Sequence, residues 1–369
     1  MTFNPAVIKN DEKAIFALRS LYLKYGYRRY KMSKFEEYDL YAKNKDFLVS
    51  DSVITFTDTN GRLMALKPDV TLSIIKNSPK DGLTKVYYNE NVYRVSQGSH
   101  CFKEIMQTGL ECIGDIDTYN ICEVVMLAAK SLMAISEDFV LDISHMGFIT
   151  ELLASLGVDD KLKKRIIQCM AEKNLHEIKA ICAQNNIDSR DIELVASTYG
   201  SGDDVLPKLE KAAVTDEMKA QLGQLKILNE FLKSSVVHEK INFDFSIVND
   251  MNYYSAIVFK GYINGIEAGV LSGGQYGSLM SRMGKKTDAI GFAVYLDMLE
   301  HLSSPAKKFD TDIVLLYDDD ADVSELAKNI KLLNDNGSSV LALKKLTDIK
   351  YRQLLKFNGK GVEILENND

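Results

Sequence analysis

The five cysteines, Cys101, Cys112, Cys122, Cys169 and Cys182, form no CxxC pair and no Cys/His ligand spacing. Neither a disulfide framework nor a zinc site is therefore expected, and nothing else in the chain asks for a metal or a cofactor. No apolar run approaches the length that spans a bilayer, and no secretory leader opens the chain. A cytoplasmic protein without membrane contact is expected. An excess of positive charge is also lacking: 45 Lys and Arg face 52 Asp and Glu, for a net charge of −7. That argues against the broad basic surface of a nucleic-acid binder, so no tRNA partner is expected. What is present is length: 369 residues allow a large core and more than one domain.

The most informative stretch is Lys85–Gly114, which reads as two strands joined by a loop. Period-2 alternation puts Met106, Thr108, Leu110 and Cys112 on one face of the second strand, and Gln107, Gly109 and Glu111 on the other. A carboxamide and a carboxylate then share a face with an apolar back. Two readings fit: a strand with one solvated face, or a buried site in which both groups need partners.

Along the chain, residues 1–146 open with an amphipathic helix (Ile15, Leu18, Tyr22) ending near Gly26. Strands, a helix over 120–136 and a strand over 139–143 follow. Residues 147–237 read as helical, punctuated by Gly157, Asn185-Asn186 and Tyr199–Asp203. Residues 243–299 return to strands and close with a helix. After the linker at 303–308, the tail reads as a small βαβαβ unit: strands at 312–317, 339–343 and 362–365, helices at 323–336 and 348–357. Its acidic turn, Asp318-Asp319-Asp320, reads as a solvated loop rather than a metal or phosphate site.

Four segments carry a resemblance, in one order. Tyr93-Arg94 with Lys103–Gln107, Glu111 and Gly114 resembles motif 2 of class II aminoacyl-tRNA synthetases, in particular the histidyl-tRNA synthetase family. Phe56–Asp58 with Leu66–Thr71 resembles that family's amino-acid-binding segment. Asn249–Tyr254 stands where the family has Arg-Gly-Leu-Asp-Tyr-Tyr. Ser272–Tyr276 and Ala289–Ala293 resemble its Gly-Gly-Arg-Tyr loop and motif 3 helix. The resemblance implies an α+β fold: an antiparallel sheet flanked by helices over 1–302, a helical insertion at about 147–237, and a truncated anticodon-binding-like α/β domain over 309–369. It also implies a homodimer through motif 1, eroded here in that Ser33 sits where the family has proline, followed by Phe35 and Glu36.

The matching positions divide into two sets. Those that handle ATP in the family have lost their cations: only Arg94 remains, Asn249 and Met298 replace arginines, and Asp297 stands for a glutamate. Ser96 replaces the motif 2 glutamate, His100 and Cys101 replace Gly-Arg, and Tyr295 replaces a glycine. Each missing electrostatic donor typically costs ~10²–10³ in turnover. The amino-acid end is retained. By resemblance, a bound histidine would place its ammonium at Asp69, Thr71 and Gln107, its imidazole at Glu111 and Tyr254, and its carboxylate at Arg94. Gly273 and Gly274 would allow close backbone approach, and Tyr253 would pack.

On this pattern the chain is identified as a member of the histidyl-synthetase-like paralogues that serve as regulatory subunits of ATP phosphoribosyltransferase. The resemblance implies a non-catalytic subunit that activates a short-form catalytic subunit, with L-histidine as effector. A divergent histidyl-tRNA synthetase and a synthetase-like sensor or scaffold are the alternatives.

Overall fold

The computed structural model describes residues 8–44, 48, 53–79, 81–95, 101–248, 253–301 and 308–368. The chain divides into two compact units, Met1–Leu302 and Ser303–Asp369. The first begins with α1 (Asn10–Lys24), β1 (Arg28–Arg29), β2 (Phe35–Glu37), α2 (Tyr38–Ala42), β3 (Thr55–Thr57), β4 (Leu63–Leu66) and α3 (Thr71–Asn77). The long hairpin β5 (Thr84–Val95) and β6 (Phe102–Gly114) follows, then α4 (Thr118–Met133) and β7 (Phe139–His145). The helical region holds α5 (Met146–Ser155), α6 (Asp160–Ala171), α7 (Leu175–Gln184), α8 (Arg190–Ser197), a short β8 (Tyr199–Gly200), α9 (Gly202–Leu209) and α10 (Asp216–Lys233). The unit closes with β9 (Ile241–Asp244), β10 (Ile257–Ile263), β11 (Leu271–Gln275), α11 (Gly277–Arg282) and β12 (Asp288–Tyr295).

Local chemistry sets several of these boundaries. Ala14, Leu18 and Tyr22 recur every fourth residue of α1 and are buried, and Gly26, at φ +82°, ends that turn. Asp117 caps α4 by accepting from the Asn120 N–H, while Asn120 accepts from the Asp117 N–H. Thr215 caps α10 by accepting from the Met218 N–H. Tyr199–Gly200 interrupts the expected helical run because it pairs antiparallel with β9 at the sheet edge.

The central sheet has nine strands in the order β1-β5-β6-β12-β11-β10-β7-β9-β8. It is antiparallel except for the β1/β5 and β7/β9 pairs. Tyr87, Leu110, Cys112, Phe292, Phe259, Leu141 and Ile143 bury one face in the main core, with α1 and α4. The opposite face carries a row in register across the sheet: Tyr88, Gly109, Ala293, Ser272, Lys260, Asp142 and Asn242. Small and polar residues make that row a floor rather than a second core. Residues 107–114 of β6 are buried throughout, so both faces of this strand are covered and the solvated-face reading is excluded.

A smaller core joins α3, the β2-β4-β3 sheet and the far side of the β5–β6 hairpin. Beside it the wholly buried Lys67 pairs with Glu90. An unpaired buried carboxylate is costly, so Lys67→Ala is expected to lower stability by about 3–5 kcal/mol in urea denaturation. Combining Lys67→Met with Glu90→Leu should recover most of that loss. A double variant as unstable as Lys67→Ala would show that packing around the stem, not the charge pair, sets the cost.

The second unit contains β13 (Thr311–Leu316), α12 (Val323–Asp335), β14 (Val340–Leu343), β15 (Tyr351–Phe357) and β16 (Val362–Asn367). The strand order is β14-β13-β15-β16, with β16 antiparallel to its neighbour. The helix expected over 348–357 is therefore a strand. Leu355 and Phe357 face α12 in the core, while Leu354 is buried on the other side. A strand covered on both faces loses the alternation that separates it from a short helix. The acidic turn is exposed and paired: Asp318 meets Lys356 at 3.2 Å, and Asp319 meets Lys344.

Candidate functional site

Above the polar floor lies a cavity of about 510 Å³. Its walls come from the turn before α3 (Asp69) and the first residue of α3 (Thr71), from β5 and β6 (Tyr88, Arg94, Gln107, Glu111), from Tyr253 and Tyr254 ahead of β10, and from Tyr276 and Tyr295. Thus Asp69, Thr71, Arg94, Gln107, Glu111 and Tyr254, scattered over the sequence, converge on one space. The sheet explains this. Gln107, Gly109 and Glu111 alternate onto one face, and Gly109 leaves room for the Tyr88 ring lying over the strand. A Cβ at Gly109 would stand 2.7 Å from the Tyr88 hydroxyl.

Glu111 is the anchor. Its carboxylate accepts from Thr71 Oγ1 at 2.8 Å and from the Tyr276 hydroxyl. Burial nevertheless pushes its pKa up to about 8, against the pull of both hydroxyls. Asp69 accepts the Leu72 N–H at 2.8 Å. Burial raises its carboxyl above the usual range, opposed by that bond and by Arg94. Arg94 donates Nε to the Pro68 carbonyl at 3.1 Å. Gln107 is buried, and its Nε2 has no hydrogen-bond partner among the described residues.

The rings form the rest of the wall. Tyr253 lies 4.6 Å from Tyr254 and 5.9 Å from Tyr276, centroid to centroid. Tyr253 lies beside the Thr71 hydroxyl, and Tyr254 beside that of Ser272. Burial raises the pKa of Tyr88, Tyr253, Tyr254, Tyr276 and Tyr295, so the phenols stay neutral. Two carboxyl groups, an unspent amide donor and an aromatic lining suit a small ligand with a cationic nitrogen and a flat polar ring.

Gly273 and Gly274, expected to allow close backbone approach, are not among the residues that line the cavity. A Cβ on Gly273 would sit 2.5 Å from the Gly291 carbonyl, and one on Gly274 would sit 2.6 Å from the Tyr254 ring. Gly274 thus seats the tyrosine rather than the ligand. Thr71 donates to Glu111, so towards a ligand it offers only its oxygen as acceptor. Tyr253, read as packing, is part of the wall. Tyr88, Tyr276, Ser272 and Lys260 were not expected there; Ser272 and Tyr276 had a signal, as the first and last residues of the Ser272–Tyr276 segment.

On the nucleotide side, Ala289–Ala293 lies in strand β12, which corrects the helix expected for this segment. A short 3₁₀ segment, Leu296–His301, follows. Met298 packs against the main core. Tyr295 stands opposite Gln107 and projects into the cavity. Ser96, His100 and Asn249 lie outside the described residues.

The profile of the family described as histidyl-tRNA synthetase matches residues 2–299. The chain belongs to the histidyl-tRNA synthetase family. Within that family it is similar to proteins named ATP phosphoribosyltransferase regulatory subunit. The one from Oceanobacillus iheyensis is 28% identical over 296 residues, 78% of this chain and 73% of that protein. The one from Bacillus cereus is 26% identical over 331 residues, 86% and 78% of the two chains. The fold is shared with a solved structure described as an ATP phosphoribosyltransferase regulatory subunit/histidyl-tRNA synthetase from Bacillus halodurans, with TM-score 0.77, 23% identity and 96% of each chain covered. It is also shared with a chain of the ATP phosphoribosyl transferase complex from Thermotoga maritima, with TM-score 0.62, 20% identity and coverage of 78% and 97%.

Proposed function

We propose that this chain is a non-catalytic regulatory subunit of ATP phosphoribosyltransferase, the first step of histidine biosynthesis. It binds and activates a short-form catalytic subunit, it pairs with a second copy of itself through the class II core, and its cavity takes L-histidine as effector. The observation that carries this reading is the asymmetry of the site. The groups that suit an amino acid converge on one cavity, whereas Tyr295 stands in it and Met298 is packed into the core. An adenylating enzyme needs cations around the α-phosphoryl group, where charge accumulates in transfer. The names of the relatives support the same reading. Effector control then follows from differential binding: histidine shifts the complex by the difference in its affinity for the active and inactive arrangements.

The deciding experiment mixes the purified chain with a short-form catalytic subunit from the same genome and follows pyrophosphate release from ATP and phosphoribosyl pyrophosphate. Turnover is expected only in the mixture and is expected to fall on adding histidine. The chain alone is expected to show no histidine-dependent ATP–pyrophosphate exchange. Exchange by the chain alone, or a mixture no faster than the catalytic subunit by itself, rejects the assignment.

A further inference from the structure

The cavity wall carries a second cation besides Arg94. Lys260, on β10, stands in register between Asp142 of β7 and Ser272 of β11. It is half-buried. Among the described residues its ammonium makes no hydrogen bond or ion pair; it lies 5.5 Å from the centroid of the Tyr262 ring. The stem runs close over Gly269, where a Cβ would meet Lys260 Cε at 2.4 Å and the lysine would have to shift.

Lys260 also borders a second cavity, of about 350 Å³, with Asp142, Asp244, Lys173, Ile247 and Val248. The acids there make bonds to other groups and none to Lys260 among the described residues. Asp244 pairs with Lys173 at 2.8 Å, and Asp142 accepts from Asn242 at 3.4 Å. A partly desolvated ammonium is costly without an acceptor. In the first cavity, Gln107 Nε2 is likewise an unspent donor, and Arg94 has already given one N–H to Pro68. Unspent donors around a space whose acidic corner is Asp69 call for a ligand bearing both an ammonium and an anionic oxygen pair. Ile247 and Val248 lead directly into Asn249, where the family carries an arginine.

We propose that Lys260, on β10, holds the carboxylate of the amino acid bound in this cavity, supplying a charge that the sequence lacks at Asn249. This rests on the reading that the cavity binds histidine. The test is isothermal titration calorimetry of the full chain with L-histidine and with L-histidinol, which lacks the carboxylate. The wild-type chain should prefer histidine. Lys260→Met should weaken histidine about 10- to 100-fold, the scale of a lost charge-assisted hydrogen bond, and leave histidinol nearly unchanged. Lys260→Arg should keep most of the preference. Gly269→Ala, which crowds the lysine stem, should narrow it and gives a second measurement should Lys260→Met fail to fold. A folded Lys260→Met protein that keeps the full preference, or loses both ligands equally, overturns the role of Lys260 and leaves the histidine site standing. No binding of histidine by the wild-type chain overturns both.

Discussion

Gly291→Ala is expected to destabilise the first unit by about 3 kcal/mol, at the upper end of overpacking costs, and to abolish ligand binding. An alanine Cβ at this position would fall 1.7 Å from Glu111 Oε2 and 2.6 Å from the Leu110 carbonyl oxygen. Neither neighbour can step aside cheaply. Leu110 belongs to the β6–β12 ladder, and Gly291 stands directly opposite Glu111 in that register. The Glu111 side chain is pinned by Thr71 and Tyr276. Relief requires either opening the ladder or leaving a buried carboxyl group short of its hydroxyl partners, and both are expensive. Gly223 is the control. It lies inside α10 with open space where a Cβ would go, so Gly223→Ala should stabilise by roughly 0.5–1 kcal/mol. Urea denaturation of the two variants reads the contrast directly. A wild-type midpoint for Gly291→Ala would mean that β6 and β12 tolerate separation, and the packing account of the site would fail.

The same pair of strands shows what could be read from sequence and what could not. Alternation along β6 was enough to put Gln107 and Glu111 on one face, because period 2 is a property of the strand itself. Convergence of Asp69, Thr71, Arg94 and Tyr254 on that face depends on partners distant in sequence, and only the resemblance to a known family supplied it. Lys260 had no such support. Its role follows from register, since Lys260, Ser272 and Ala293 become neighbours only when β10, β11 and β12 pair. Gly273 and Gly274 mark close approach in both readings, but whether ligand, ring or strand approaches is decided by three-dimensional packing. Local pattern failed outright at Tyr351–Phe357 in β15, where burial on both faces erased alternation; at Ala289–Ala293 in β12 it was the family resemblance, not the pattern, that suggested a helix.

Glu111→Ala is expected to remove the thermal stabilisation that histidine confers, while Glu111→Gln should keep the fold and bind far more weakly. Glu111 makes this unusually testable because its charge is linked to both folding and binding. Its ordinary pKa is 4.5, and in the folded chain it is pushed up to about 8. Between those values the folded state keeps a proton that the unfolded state has lost. Stability should therefore fall as pH rises through that window and level off above it. Asp142, raised to about 6, adds a slope of the same sign, so the useful quantity is the difference between wild type and Glu111→Gln. That difference should vary with pH, since the variant has no carboxyl proton to lose. A ligand N–H or ammonium entering the cavity favours the ionised carboxylate and should draw a proton off Glu111 near pH 7. The binding heat should then vary with the ionisation enthalpy of the buffer in wild type and lose that component in Glu111→Gln. A thermal shift with histidine that survives Glu111→Ala unchanged takes Glu111 out of the site, and with it the residue that reads the imidazole.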